Sequence, residues 1–539
     1  MKILVTDPIT ERGLELLHRE GWTVEQVSPK DADALRRGLG EATAWILRSG
    51  TKVSPKLLEA APQLKVIGRA GVGVDNVDLE AATRRGVLVM NTPGGNAVSV
   101  AEHTFALLLT LARQVSAADH STRAGEWRKK DFAGYELKGK TLGLVGLGRV
   151  GQEVARRAQA FEMVALAHDP YVAAPLAREL GVELVPLATL LARADFLSLH
   201  LTLTPDTERL LNAETLAQCK RGVRVVNTAR GELIDESALA AALASGQVAG
   251  AALDVFAAEP PRASPLLKLP RVIATPHIGG STAEAQEEVG WRIAQQVRDY
   301  LKDGVIRHAV NLPTISAEEY RRLRPYLELG ERLGAFAVQA AGPMSRVSLR
   351  YAGEVGTLNT HLLRNAVLRG VLRYVVDEPA NLVNAAQLAA ERGLTLEETQ
   401  VRRTQGFPDT LGVTLHAGAE AGASQFSIEG TVLHGTALRI LVVDEITIEA
   451  PLEGTLIFLR NRDVPGVIGQ VGTLLGSHNI NIASFALGRR EPSGSRGRLG
   501  PGEGAEAVAI VQVDGPVPEA VLAALRRVPA VIFARVVQL

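Results

Sequence analysis

Residues 140–151 read KTLGLVGLGRVG: an apolar run, three glycines at Gly146, Gly148 and Gly151, and then the helical pattern QEVARRAQA. Apolar strand, glycine turn and helix in that order form the fingerprint of a dinucleotide-binding βαβ unit. Gly146 permits the tight turn, Gly148 lets backbone approach a pyrophosphate, and Gly151 lets the helix pack closely on the strand, with the helix N-terminus facing the phosphate charge. The next apolar run, MVALAHDP, ends at Asp169, about 18 residues beyond Gly151. A carboxylate there accepts hydrogen bonds from both ribose hydroxyls and repels a 2′-phosphate, which favours NAD over NADP.

Working outward, the runs ADFLSLHL, RVVNTARG, GAALDVF and RVIATPHIGG continue the strand and helix alternation toward the C-terminus. On the other side, residues 1–94 alternate in the same way through KILVTD, WTVEQV, AWILRS, LKVIGRA and VLVMNTP, so a second parallel sheet is expected. Between them, AVSVAEHTFALLLTLARQVSAADHSTRAG carries apolar residues at i, i+3, i+4 spacing and reads as one long connecting helix. After PHIGG a helical stretch leads to VNLP at 310–313, read as the chain returning to the first lobe. The expected fold is α/β, with two Rossmann-like lobes and a cleft between them: a substrate lobe at 1–95 and 277–313, and an NAD-binding lobe at 96–276.

Beyond Pro313 the pattern changes. A helix near 316–341, a strand at RVSLRYAG, helices near 356–371 and 380–393, and the runs LGVTLHAG, SQFSIEGTVL and ALRILVVDEITIEA predict an α+β domain over 314–452. The remainder, 453–539, reads βαββαβ. Within it, EPSGSRGRLGPGEG (491–504) has too little apolar content to offset its ordering entropy, and a mobile loop between two strands is expected.

At 539 residues the chain holds about three to four domains. Lys and Arg together number 59, as do Asp and Glu, so the electrostatic excess expected of nucleic-acid or anionic-membrane binding is lacking. The single cysteine, Cys219, allows no intrachain disulfide and no thiol metal cluster, and no metal site is expected. MKILVTDPIT lacks the apolar core of a signal peptide and no run of 18 apolar residues occurs; a cytoplasmic protein is expected.

Three polar residues stand at strand ends or loops of the second lobe: Arg230 in NTARGELID, Glu259 in DVFAAEPP and His277 in ATPHIGG. Each alone has an ordinary structural reading, as a local ion pair, a solvated turn residue or a loop histidine. The carboxyl ends of strands in an open α/β sheet are where ligands sit, and together the three suit hydride transfer. His takes a hydroxyl proton, the carboxylate orients the imidazole, and Arg holds a substrate carboxylate.

GRAGVGVDNVDLEAA (68–82), NTPGGNAVSVAEHTFALLL (91–109), GLGRVG, RVVNTARGELIDESAL, GAALDVFAAEPP and TPHIGGST resemble the D-2-hydroxyacid dehydrogenases over 1–313. The resemblance implies that Arg230, Glu259 and His277 are catalytic. It also implies that Arg149, Val150, Asp169, Thr228, Ala229, Asp254 and Gly279 contact NAD, and that Arg48, Gly71 and Val72 join Arg230 and His277 around substrate. Val72 departs from the threonine of several relatives, which leaves backbone contact there. Lys129 and Lys130 in EWRKKDF are further candidates for phosphate contacts.

The tail resembles an ACT domain, and 314–452 resembles the intervening domain of the long form of this family that acts on 3-phosphoglycerate. This implies NAD-dependent oxidation of 3-phosphoglycerate to 3-phosphohydroxypyruvate, the first step of serine synthesis, in a homo-oligomer (dimer or tetramer). L-serine is the implied effector, with Asn461, Asp463 and Asn481 as regulatory residues. The rival readings are a hydroxypyruvate or glyoxylate reductase, and an NAD-sensing binding protein on the same fold.

Overall fold

The computed structural model describes the chain except residues 343, 377–378, 403–408, 418–424 and 491–505. The loop expected at 491–504 lies outside the described residues. Four sheets follow one another along the chain.

The first sheet has five strands in the order Thr23–Gln26, Lys2–Val5, Ala44–Leu47, Val66–Arg69 and Leu88–Met90, all parallel. Short helices on its faces cover residues such as Ile3, Trp45, Ile46 and Ile67, which are fully buried. A parallel strand buried on both faces reads as a continuous apolar run, as AWIL does and as KILV does after Lys2. The chain closes this lobe late. The Ala283–Asp303 helix packs on it through Val289, Ile293 and Val297. Residues 308–311 then pair with its last strand, where Met90 bridges Ala309 and the Asn311 side chain accepts from Val89 N at 2.9 Å.

The second sheet has seven parallel strands in the order Val272–Ala274, Val248–Leu253, Val223–Asn227, Phe196–Leu199, Thr141–Val145, Val164–His168 and Glu183–Leu184. Strand order reverses beside Thr141–Val145, so the topological switch point falls at the glycine-rich turn. The long helix expected between the lobes is two helices, Ala97–Arg113 and Val115–Arg123. Gln114 adopts φ 51°, and its side chain donates to the Ala133 carbonyl. The first helix buries Ala101, Phe105, Leu108 and Ala112, whereas the second buries only Ser121, so the packing that kept the first straight ends at the break.

The third sheet has six strands in the order Thr395–Val401, Arg346–Ala352, Thr410–His416, Gln425–Leu433, Ala437–Val443 and Ile446–Pro451. ALRILVVDEITIEA is thus a hairpin that turns at Asp444 and Glu445, both at positive φ. Thr395–Val401 is an edge strand that sequence patterning did not predict. Its residues TLEETQV are mostly exposed, so no alternation marks it. The Ala317–Ala341 helix covers one face of this sheet.

The last sheet is antiparallel in the order Ile482–Arg489, Glu506–Val513, Thr455–Arg462 and Val531–Gln538, with helices Val467–Ser477 and Glu519–Arg526, giving βαββαβ. It is joined to the preceding domain by a buried aromatic seam: Phe336, Phe426 and Phe458 lie with ring centroids 5.7–6.3 Å apart. Among the described residues no helix is long and apolar enough to cross a membrane.

Candidate active site

The strand Thr141–Val145 delivers Gly146 at φ 96°, and any side chain there would strike the carbonyl of His200. A side chain at Gly151 would strike the carbonyl of Gly146, so helix and turn are in backbone contact. Gly148, by contrast, faces open space at the N-terminus of the Arg149–Ala160 helix. That combination leaves a cradle of unpaired backbone N–H groups suited to a pyrophosphate. Asp169 follows the neighbouring strand and accepts from Leu147 N at 2.8 Å and Tyr171 N at 2.9 Å, which fixes its carboxylate beside the cradle. These residues fit an adenine dinucleotide. Arg149 reaches from the start of the helix to donate to the Pro93 carbonyl at the mouth of the cleft, and Val150 is packed into the lobe behind it.

Asp254 is buried and acts as a loop lock. It accepts from Ile278 N at 2.9 Å, Gly279 N at 2.8 Å and Thr275 Oγ1 at 2.6 Å, with His103 Nε2 at 3.2 Å. Burial alone would raise its pKa; the hydrogen bonds from His103, Thr275 and the two backbone amides outweigh that and hold it below the ordinary carboxylate value. Thr228 Oγ1 meets Thr104 Oγ1 at 2.9 Å, and Ala229 N donates to Asn227 Oδ1. Asn227 Nδ2 donates to the Arg230 carbonyl, so this turn too is pinned from within.

On this frame His277 Nδ1 lies 2.8 Å from Glu259 Oε2, and the other carboxylate oxygen accepts from Phe256 N at 3.2 Å. An ionised carboxylate only accepts, so it selects the tautomer with the proton on Nδ1 and leaves Nε2 with a free lone pair. Half of the His277 side chain is exposed. Its own backbone sits at φ 54°, held by hydrogen bonds from its N–H to the Asp254 and Thr275 carbonyls.

Arg230 crosses the cleft. Its Nη2 lies 2.9 Å from Asp75 Oδ2 in the first lobe, and its guanidinium fills the space beside Gly73. There it joins Arg69, which the residue-by-residue reading of the sequence missed. The Arg69 guanidinium lies under Gly71, where any side chain would overlap it, and its Nε has no hydrogen-bond partner. Burial, and then the Arg230 charge, push its pKa down to about 10, with Arg48 adding to the effect. The signal was available: a lone arginine closing the buried strand VIGR at its carboxyl end. Arg48, whose N–H donates to Asp7 Oδ2, Gly71, Val72 and Arg230 are therefore gathered at one end of the cleft. Lys129 and Lys130 lie on an exposed 3₁₀ turn whose neighbour Arg128 pairs locally with Asp131 and Glu126.

In the tail, Asn461 and Asp463 line one recess of about 350 Å³ together with Gly466 and Arg489, which pairs with Asp463 at 3.2 Å. Asn481 is not part of that recess; its amide donates to Asp514 Oδ2 at 2.6 Å.

Residues 105–279 match the model of the D-isomer-specific 2-hydroxyacid dehydrogenase NAD-binding domain, which makes the chain an NAD-dependent dehydrogenase. Residues 322–444 match the D-3-phosphoglycerate dehydrogenase intervening domain and 455–530 the ACT domain. D-3-phosphoglycerate dehydrogenase of Archaeoglobus fulgidus is 41% identical over the whole of both chains, and that of Methanocaldococcus jannaschii 41% over 98% of each. Among solved structures, the TT0316 protein of Thermus thermophilus is 38% identical with a TM-score of 0.52, over 57% of this chain and 100% of its own. A formate dehydrogenase of Staphylococcus aureus in complex with NAD is 29% identical, TM-score 0.52, over 58% and 100%. The chain belongs to the D-3-phosphoglycerate dehydrogenase family.

Proposed function

We propose that this chain oxidises the C2 hydroxyl of 3-phosphoglycerate to 3-phosphohydroxypyruvate with NAD, the entry step of serine synthesis. When bound, NAD is the hydride acceptor. His277 Nε2 takes the hydroxyl proton, and the 2.8 Å contact with Glu259 stabilises the imidazolium that forms. Arg230 holds the substrate carboxylate beside the reacting carbon and polarises the developing carbonyl oxygen. Arg69 and Arg48 take the phosphate. The observation that carries this reading is the convergence of the Arg48, Arg69 and Arg230 guanidinium groups, in a chain that also holds the His277–Glu259 pair, matching a substrate with two anionic ends. NADH production from 3-phosphoglycerate, compared with D-glycerate at equal ionic strength, tests it. Turnover at least a hundredfold better with the phosphate supports the reading, and equal turnover refutes it.

The Asn461–Asp463 recess is read as half of an L-serine site, with Asn481 contributed from a second copy. The side chains of Val98, Val115 and Trp127, the last 86% exposed, are read as part of a homo-oligomer interface. Calorimetry with serine on the full chain and on Asp463→Ala, and sedimentation of Trp127→Glu, test these two assignments. The reading implies a cytoplasmic enzyme.

A further inference from the structure

We infer that the recess between the end of the Ala283–Asp303 helix and the start of the Ala317–Ala341 helix is a binding site for a small polyanion, of the class of inorganic phosphate or a phosphate monoester. The recess has a volume of about 770 Å³ and lies where the first lobe meets the intervening domain, far along the chain from the tail recess. Five cationic side chains line it: Arg298, Lys302 and Arg307 from the first lobe, Arg321 and Arg324 from the facing helix.

Their internal partners do not account for them. Asp299 is buried and shared between Arg298 and Arg307, the latter at 3.4 Å, and Glu20 takes Lys302 at 2.8 Å. Arg321 and Arg324 form no ion pair with any described residue, and the one other carboxylate in the lining, Asp303, is likewise unpaired. Converging cations on two facing elements raises the local potential, and a concave, low-dielectric wall focuses it. Two forked guanidinium groups three positions apart on one helix face suit an oxyanion that accepts bidentate bonds. The Tyr320 hydroxyl also lines the recess, at the space left open by Gly304.

The recess is mechanically close to the cofactor site. Val305 and Arg307 line it, and His308 follows directly, its carbonyl accepting from Asn91 N at 3.2 Å. Burial, and then the charge of Arg149 with those of Arg292 and Arg307, hold the His308 imidazole below its ordinary pKa, so this residue is electrostatically coupled to the arginine that bridges to Pro93. An anion that draws Arg307 toward the facing helix pulls on the same strand segment, so occupancy is felt at the cleft mouth.

Equilibrium dialysis of the full chain with radiolabelled inorganic phosphate, at ionic strength fixed with chloride, tests the site. Arg321→Gln combined with Arg324→Gln changes two exposed side chains and leaves the cleft untouched. The expected result is the loss of one bound phosphate per chain, or at least a tenfold weaker second site, with unchanged thermal melting. Competition by pyrophosphate or by glycerol 3-phosphate identifies an inorganic anion or a phosphate monoester as the better occupant. Identical phosphate binding by the variant, or equal displacement by chloride, overturns the site. The KM for NAD should respond to phosphate in the unaltered chain and lose that response in the variant; a response that persists in full overturns the coupling.

Discussion

The role proposed for His277 rests on a single hydrogen bond and an unusual backbone. Glu259 fixes the tautomer, and His277 itself sits at a left-handed φ. Because the proposed role is on the substrate proton and the residue makes no part of the glycine cradle, His277→Ala is expected to lower kcat by about 10²–10⁴-fold while NAD affinity, measured by fluorescence titration, changes little. Near-normal turnover would remove His277 from the chemistry. Asp169 has the opposite signature. Its carboxylate is already oriented by two backbone amides, so Asp169→Ala is expected to raise the KM for NAD at least tenfold and narrow the preference over NADP. Unchanged affinities for both cofactors would refute the ribose assignment.

At the scale of elements, the strand that ends at Leu199 hands over to His200, whose carbonyl presses on the Gly146 turn. Burial pushes the His200 pKa down to about 3, and its Nδ1 has no hydrogen-bond partner. The folded chain therefore keeps this ring neutral where the unfolded chain protonates it near pH 6.5, so the unfolded state binds the extra proton throughout the interval between. Stability is complete above pH 6.5 and is expected to fall by about 1.4 kcal/mol per pH unit below it from this residue alone. Urea titrations from pH 7 to 5 check this; His200→Asn should flatten the slope, and an unchanged slope would show that other groups dominate.

Elements with a one-sided or fully buried pattern were legible in the sequence: KTLGLV, AWILRS and the βαββαβ tail all stand where periodicity and glycine punctuation put them. The edge strand Thr395–Val401 was not, because a polar edge is held by its neighbour's backbone and leaves no mark on its own side chains. The break at Gln114 was hidden for a related reason: nothing in LARQVSAA forbids helix, and tertiary packing alone ends it. Among site residues, glycine spacing and strand-end position marked Gly146, Asp169, Arg230 and His277. Arg69 was marked only by its place at the end of a buried strand, while His103 and Asp75 left no local mark, since each acts through a residue remote in sequence: Asp254 within the same lobe, and Arg230 across the cleft.

The whole molecule is less divisible than its four sheets suggest. The tail's Phe458, Leu456 and Val537 complete the same buried cluster as Phe336 and Phe426 of the intervening domain. Arg535 also donates to the carbonyls of Gln339 and Ala340. Removing 453–539 is therefore expected to uncover an apolar face and cost about 1.5–3 kcal/mol for each large side chain left exposed. The truncated chain should bind a hydrophobic dye and lose cooperative melting of 314–452, while residues 1–313 keep their own transition. Cooperative melting of 314–452 without the tail would show the aromatic seam to be dispensable.

The late return of the chain to its first lobe has a consequence for biosynthesis. The last strand of that lobe, Leu88–Met90, leaves the ribosome long before its neighbours at 308–311, and Asn311 follows Val89 by 222 positions. At roughly 5–20 residues per second that is an interval of about 10–40 s. During it the sheet lacks both its covering helix, Ala283–Asp303, and its edge partner, while the seven-stranded lobe emerges without interruption. The NAD-binding lobe can thus mature on the nascent chain before the segment made first, and the apolar face that awaits Val289, Ile293 and Val297 is the surface a translating cell must shield.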